Sequence, residues 1–133
     1  GGERGVDTPA GAPEEARLQA AAALARQRRT VVLLSGPEDV IAAGDRLWRV
    51  RGGSDLMPFV TGTGCMLTCI TGTYLAVTDA LTACILAAIT LDCAGECANA
   101  AKGLGTYHIE LINQLSVMTE DQITQLSNIQ RLL

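Results

Sequence analysis

Apolar and polar positions change rhythm near residue 30 and again near residue 63, dividing the chain into a helix, a strand-rich middle and a helical remainder. Pro13-Glu14-Glu15 followed by Ala16 to Arg29 predicts the first helix, with proline and acidic residues at its start and Arg26, Arg28 and Arg29 at its end. Thr30-Val31-Val32-Leu33-Leu34 is a continuous apolar run stopped by Ser35-Gly36-Pro37. Such a run predicts a strand buried on both faces, as in parallel sheets covered by helices on both sides. Asp39-Val40-Ile41 and Arg46 to Arg51 flank Ala43-Gly44-Asp45, and Trp48 and Val50 alternate with Arg49 and Arg51. That alternation predicts a half-exposed hairpin, followed by a loop at Gly52-Gly53-Ser54-Asp55. From Thr63 to about Leu133 the pattern gives four helices and no further strand, with breaks near Thr78-Asp79, at Lys102 to Gly105 and at Met118-Thr119. Thr106 is the expected cap of a helix beginning at Tyr107, and Thr119-Glu120-Asp121-Gln122 has the form of a capping box.

The whole reads as α/β, a buried strand and a hairpin with about five helices, with no internal repeat or linker. One strand and a hairpin are too little sheet for so many helices. The missing strands are expected upstream of Gly1, in preference to layers completed by association, and the opening Gly-Gly-Glu-Arg-Gly-Val-Asp reads as a loop entered mid-stream. Residues 1–133 are therefore taken as the C-terminal part of one domain.

Composition narrows the function classes. Hydrophobic residues make up 48%, with one Phe, one Trp and two Tyr, so the core must be mainly aliphatic. A net charge of −4 disfavours nucleic acid or an anionic membrane surface as partner. Residues 66–90 are apolar but interrupted by Gly72 and Asp79, which suits a buried helix pair better than a membrane span. The five cysteines, Cys65, Cys69, Cys84, Cys93 and Cys97, fit reduced thiols of a cytoplasmic protein. Cys65/Cys69 and Cys93/Cys97 are four apart, on one helical face, but a zinc site wants tighter or mixed Cys/His spacing and the single histidine, His108, is distant. All but Cys65 are read as small buried hydrophobes.

The chemistry gathers at Val60-Thr61-Gly62-Thr63-Gly64-Cys65, running into Met66-Leu67-Thr68-Cys69-Ile70. Two glycines at a helix start leave backbone N–H groups uncovered, where the helix dipole favours a phosphate or a developing anion. The same dipole and donors favour the ionised form of a thiol. An anion cradle beside a proton acceptor suggests phosphoryl transfer. The bland reading is a tight connection before a helix. Ser35 could likewise simply end a strand, His108 reads as a packing or surface residue, and Asp7 and Asp39 are loop carboxylates with no assigned role.

Taken in order, Arg4-Gly5-Val6-Asp7, the strand ending Ser35-Gly36, the hairpin with Asp39, Leu56-Met57, Val60 to Cys65, Lys102-Gly103-Leu104-Gly105-Thr106 and Ile109 to Asn113 form a series. The series resembles the C-terminal half of the hydroxyethylthiazole kinases, thiamine-salvage enzymes of the ribokinase-like three-layer fold, over nearly all of the chain. The resemblance implies ATP-dependent phosphorylation, with Mg2+, of the hydroxyl of 4-methyl-5-(2-hydroxyethyl)thiazole. It implies that Gly62 lines the thiazole pocket and that the amides of Thr63, Gly64 and Cys65 form an anion hole. Cys65 matches the residue that accepts the substrate proton, and Ser35 matches a threonine that contacts ATP. A homotrimer is implied, with sites near subunit boundaries. The family's upstream Arg-Gly-Asn-type segment for magnesium and ATP, and its methionine-bearing part of the thiazole pocket, have no counterpart in these residues, so the isolated chain could be inactive. A pyrimidine kinase sharing a Gly-Thr-Gly-Cys turn and a non-catalytic assembly module stay open as alternatives. A P-loop NTPase does not, because no Gly-x-x-x-x-Gly-Lys-Ser/Thr sequence occurs.

Overall fold

The structure, a computed structural model, describes residues 13–133; Arg4 to Asp7 lie outside the described residues. In chain order it runs α1 (Glu14–Arg28), β1 (Val31–Leu34), β2 (Asp39–Ala43), β3 (Arg46–Val50), a short 3-10 turn (Met57–Phe59), α2 (Thr63–Leu75), α3 (Ala80–Cys97), α4 (Leu104–Val117), α5 (Glu120–Leu126) and β4 (Ile129–Arg131).

Charge placement explains α1. Glu14 and Glu15 lie in its first turn and Arg26 and Arg28 in its last, each opposite in sign to its end of the helix dipole. Pro13 stands just outside the helix, and Arg29 ends it in a left-handed conformation at φ 51.

The four strands pair in sequence order and every pairing is antiparallel. The parallel reading of β1 is thereby corrected: Val31 to Leu34 lie antiparallel to β2, from Val31 opposite Ala43 to Leu34 opposite Val40, and all four are only half-buried. β2 is the strand buried along its whole length, so the hairpin is less exposed than its alternation suggested. β4 is a further strand, three exposed residues held by pairing to β3 and by Leu132 donating its N–H to the Leu47 carbonyl at 2.8 Å.

Alternation of side chains across the sheet builds three layers. On one face Val40, Ala42 and Leu47 pack against Ala21 and Ala25 of α1. On the other, Ile41, Val50 and Trp48 pack against α3 through Ala87, Ala88, Leu91 and Ala94. A sheet with a helix layer on each side is the three-layer α/β arrangement expected of the chain. α3 is the one helix among the described residues long and apolar enough to cross a membrane, and half of that stretch is buried inside the protein. α2 departs from the buried-pair reading, since Leu67 is its single fully buried residue.

Of the two expected caps, one forms and one does not, and α3 starts at the expected break with a cap of its own. Asp79 caps α3, accepting the Thr82 N–H at 3.0 Å. Thr119 and Gln122 form the capping box of α5, with the Thr119 N–H donated to Gln122 Oε1 at 3.0 Å. α4 begins at Leu104 instead of Tyr107, after Gly103 at φ 113, so Thr106 lies inside the helix and is not its cap.

Candidate functional site

The Gly62–Cys65 turn opens α2. Gly62 takes φ 91, a left-handed conformation that glycine adopts without a Cβ clash, and its carbonyl accepts the Met66 N–H at 2.8 Å. Because Gly62 has no side chain, no side-chain hydrogen bond caps the helix. The amides of Thr63, Gly64 and Cys65 precede the first intrahelical bond and keep their donors for an outside acceptor. A Cβ built at Gly62 or Gly64 would meet nothing within 4 Å, so the turn faces open space. Gly64 and Cys65 are exposed and Thr63 is half-buried. Further along the same helix Thr68 and Thr73 bond back to the carbonyls of Gly64 and Cys69, at 3.1 and 3.0 Å. Their hydroxyls are thus spent on the helix itself.

Ser35 lies elsewhere on the chain but at the same end of the sheet. The β1–β2 turn leaves beyond Leu34 and Val40, and the connection to α2 leaves beyond Val50, which pairs with Asp39. Ser35 is exposed, and two charged groups fix its turn. Arg17 donates to the Ser35 carbonyl at 2.9 Å, and the Gly36 N–H bonds to Asp39 Oδ1 at 3.1 Å. Asp39, read from the sequence as a loop carboxylate, is in fact the buried first residue of β2 and the clamp of this turn. Burial pushes its carboxyl up to about 6, partly opposed by the Gly36 hydrogen bond and by Arg17.

Around that clamp lies a set of groups with no local sequence signal. Asp92 of α3 is pushed up to about 7, by burial first and then by the charges of Asp39 and Glu96. It lies against the Gly52-Gly53 backbone: a Cβ at Gly53 would come within 3.3 Å of Asp92 Oδ1. Gly95, one helical turn from Asp92, lets Gly53 approach, since a Cβ there would sit 3.3 Å from the Gly53 Cα. Tyr107 of α4, fully buried, donates its hydroxyl to the Gly95 carbonyl at 3.1 Å. These contacts pin the connection that ends in the Gly62–Cys65 turn. Glu38 adds ion pairs to Arg51 and Arg49, at 2.5 and 3.5 Å. His108 is half-buried on α4, and Asp7 lies outside the described residues.

The thiols sort differently from the expectation. Cys84 and Cys93 are buried and Cys97 half-buried, but Cys69 is exposed like Cys65, because α2 turns that face outward. A broad depression lined by Arg26, Arg29, Thr30, Gly44, Asp45 and Arg46 lies at the hairpin tip, the opposite end of the sheet, and contains none of the turn residues.

A profile described as the hydroxyethylthiazole kinase family matches residues 1–121. The chain is 35% identical to a hydroxyethylthiazole kinase of Pyrococcus furiosus over 131 residues, covering 98% of this chain and 49% of that protein. It is 40% identical to one of Desulfotalea psychrophila over 122 residues, covering 90% of this chain and 44% of the relative. The solved structure of a hydroxyethylthiazole kinase from Pyrococcus horikoshii OT3 superposes with a TM-score of 0.83 at 31% identity, over 90% of this chain and 48% of that one. The chain spans about half the length of the curated relatives it matches.

Proposed function

Since the chain belongs to the hydroxyethylthiazole kinase family, a family of small-molecule kinases, we propose that it supplies the phosphoryl cradle and the proton acceptor for phosphorylation of a hydroxyethylthiazole by ATP. The observation that carries the reading is the uncapped, outward-facing start of α2 with Cys65 in its first turn.

Phosphoryl transfer needs positioning and charge neutralisation more than covalent help. The amides of Thr63, Gly64 and Cys65 would receive the equatorial oxygens of the transferred group, where preorganised donors act on developing charge. The substrate hydroxyl oxygen bonds to the γ-phosphorus as the bond to ADP breaks, and ADP leaves with that electron pair. The hydroxyl proton passes to the Cys65 sulfur. Gly62 leaves room for the thiazole, and Ser35, fixed by Arg17 and Asp39, contacts the nucleotide. Mg2+ would neutralise charge on the nucleotide phosphates, and by the resemblance the residues that hold it belong to the upstream segment. We assign the working protein to the cytoplasm as a homotrimer, an assignment drawn from the family resemblance.

The test is phosphate transfer from ATP to the thiazole by protein extended to the relatives' length. Cys65→Ala is expected to keep calorimetric binding of both ligands while kcat falls about 100-fold or more, the usual weight of a positioned base. An unchanged kcat would remove Cys65 from the mechanism. Titration of both ligands into the 133-residue chain separates a binding unit from an assembly module. Absent heat from a folded chain would favour the module.

A further inference from the structure

Cys65 and Cys69 are both exposed and lie four residues apart within α2. Side chains at that spacing stack on one helical face with Cβ atoms about 5–6 Å apart. A disulfide requires Cβ atoms about 3.5–4.5 Å apart, so the two sulfurs cannot join directly without unwinding the first turns of the helix. They can instead both bond one soft atom placed between them, the kind of centre thiolates select. We propose that the outer face of α2 is a two-thiol site for a soft, thiophilic centre of low coordination number, with trivalent arsenic as its type.

The other cysteine pair shows why the site is confined to α2. Cys93 and Cys97 share the same spacing on α3, but Cys93 is buried with its sulfur directed at the Ile123 carbonyl, 4.0 Å away. Burial also holds its thiol up at about 11, where little thiolate forms near neutral pH. Around the α2 pair the space is open: Cβ atoms built at Gly64 and Gly72 would meet nothing within 4 Å. An organic arsenoxide reacts there without a change of oxidation state. Two S–H bonds break, two As–S bonds form, and the arsenoxide oxygen leaves with both protons as water.

The probe is phenylarsine oxide added to the 133-residue chain and followed by intact mass. One adduct is expected that survives excess 2-mercaptoethanol and is removed by 2,3-dimercaptopropanol. Cys65→Ser and Cys69→Ser should each lose the adduct to 2-mercaptoethanol at least 50-fold faster, while the double variant Cys93→Ser/Cys97→Ser behaves as the parent. In the parent chain the arsenical should also block iodoacetamide alkylation of Cys65 and Cys69 together, a reading that needs no variant. An adduct equally durable in Cys69→Ser, one lost in the α3 double variant, or none at all would overturn the assignment. Capture requires the two thiols alone, so its failure leaves the phosphoryl-transfer reading where it stood.

Discussion

Asp92 meets three unfavourable neighbours at once: the low-dielectric interior, the Asp39 carboxylate and the Glu96 carboxylate. The glycine backbone at Gly52 and Gly53 presses on it from the β3–α2 connection. Its carboxyl is held up at about 7 and that of Asp39 at about 6, against an ordinary aspartate value of 3.8. A folded-state value above the unfolded one means the native state binds more protons between the two. Stability therefore falls as pH rises through that window, from about 4 to about 7, and the whole penalty is present above it. Asp92→Asn removes the charge and nearly keeps the shape. The variant should match the parent near pH 4 and be more stable at pH 8 by up to about 4 kcal/mol, since each pH unit between the ordinary and the folded value is worth about 1.4 kcal/mol. Urea unfolding at both pH values checks it. A constant difference would show that Asp92 does not carry the pH dependence.

At the element scale, the two glycines that open α2 should respond oppositely to a methyl group although both face open space. Gly62→Ala forces an L-residue to φ 91 and should cost about 1–2 kcal/mol. Gly64→Ala fills a helical position and should gain about 0.5 kcal/mol. If the cradle works as proposed, Gly64→Ala lowers kcat despite that gain, because its Cβ stands where the phosphoryl oxygens pass. A Gly64→Ala enzyme with parental kcat would move the anion site off this turn. The turn was legible because its cause is local: paired glycines, then an apolar helical rhythm. α1 and the α5 capping box were legible for the same reason. A continuous apolar run such as Val31 to Leu34 reports that a strand exists but not the direction of its neighbour, and the parallel reading failed there. β4 carries no strand signal in Ile129-Gln130-Arg131; pairing to β3 alone makes it one. Asp39, Asp92, Gly95 and Tyr107 come together only through packing between elements distant in sequence, so their roles could not be read beforehand.

The two sides of the sheet are unequal in a way that sets how the whole molecule opens. Against α1 the buried cluster is small, with Ala21 and Ala25 the helix's own buried contribution. Against α3 it is larger, adding Ile41, Val50, Leu67, Ile89, Leu91 and Leu111 and drawing on α2 and α4. At about 25 cal/mol per Å2 of apolar surface, alanine faces contribute far less than leucine and isoleucine faces. The ion pairs of Arg49 with Glu14 and of Arg26 with Asp45, which tie α1 to the hairpin, involve partly exposed partners and add little. Opening should therefore proceed in two steps. α1 detaches first, and β2, β3 and α3 hold until global unfolding, since parts of a fold open locally according to how much each buries. Hydrogen exchange followed by mass spectrometry should show amides of α1 exchanging at least tenfold faster than those in the middle of α3, around Ala87 to Leu91. Ala25→Gly should speed α1 further and leave α3 unchanged. The cradle at α2 hangs from the α3 side, so it should survive the loss of α1 in shape, while the Ser35 turn, held by Arg17 of α1, should not. Equal protection of α1 and α3 would mean the sheet and both helix layers open as one unit, and the two ends of the proposed site would then be lost together.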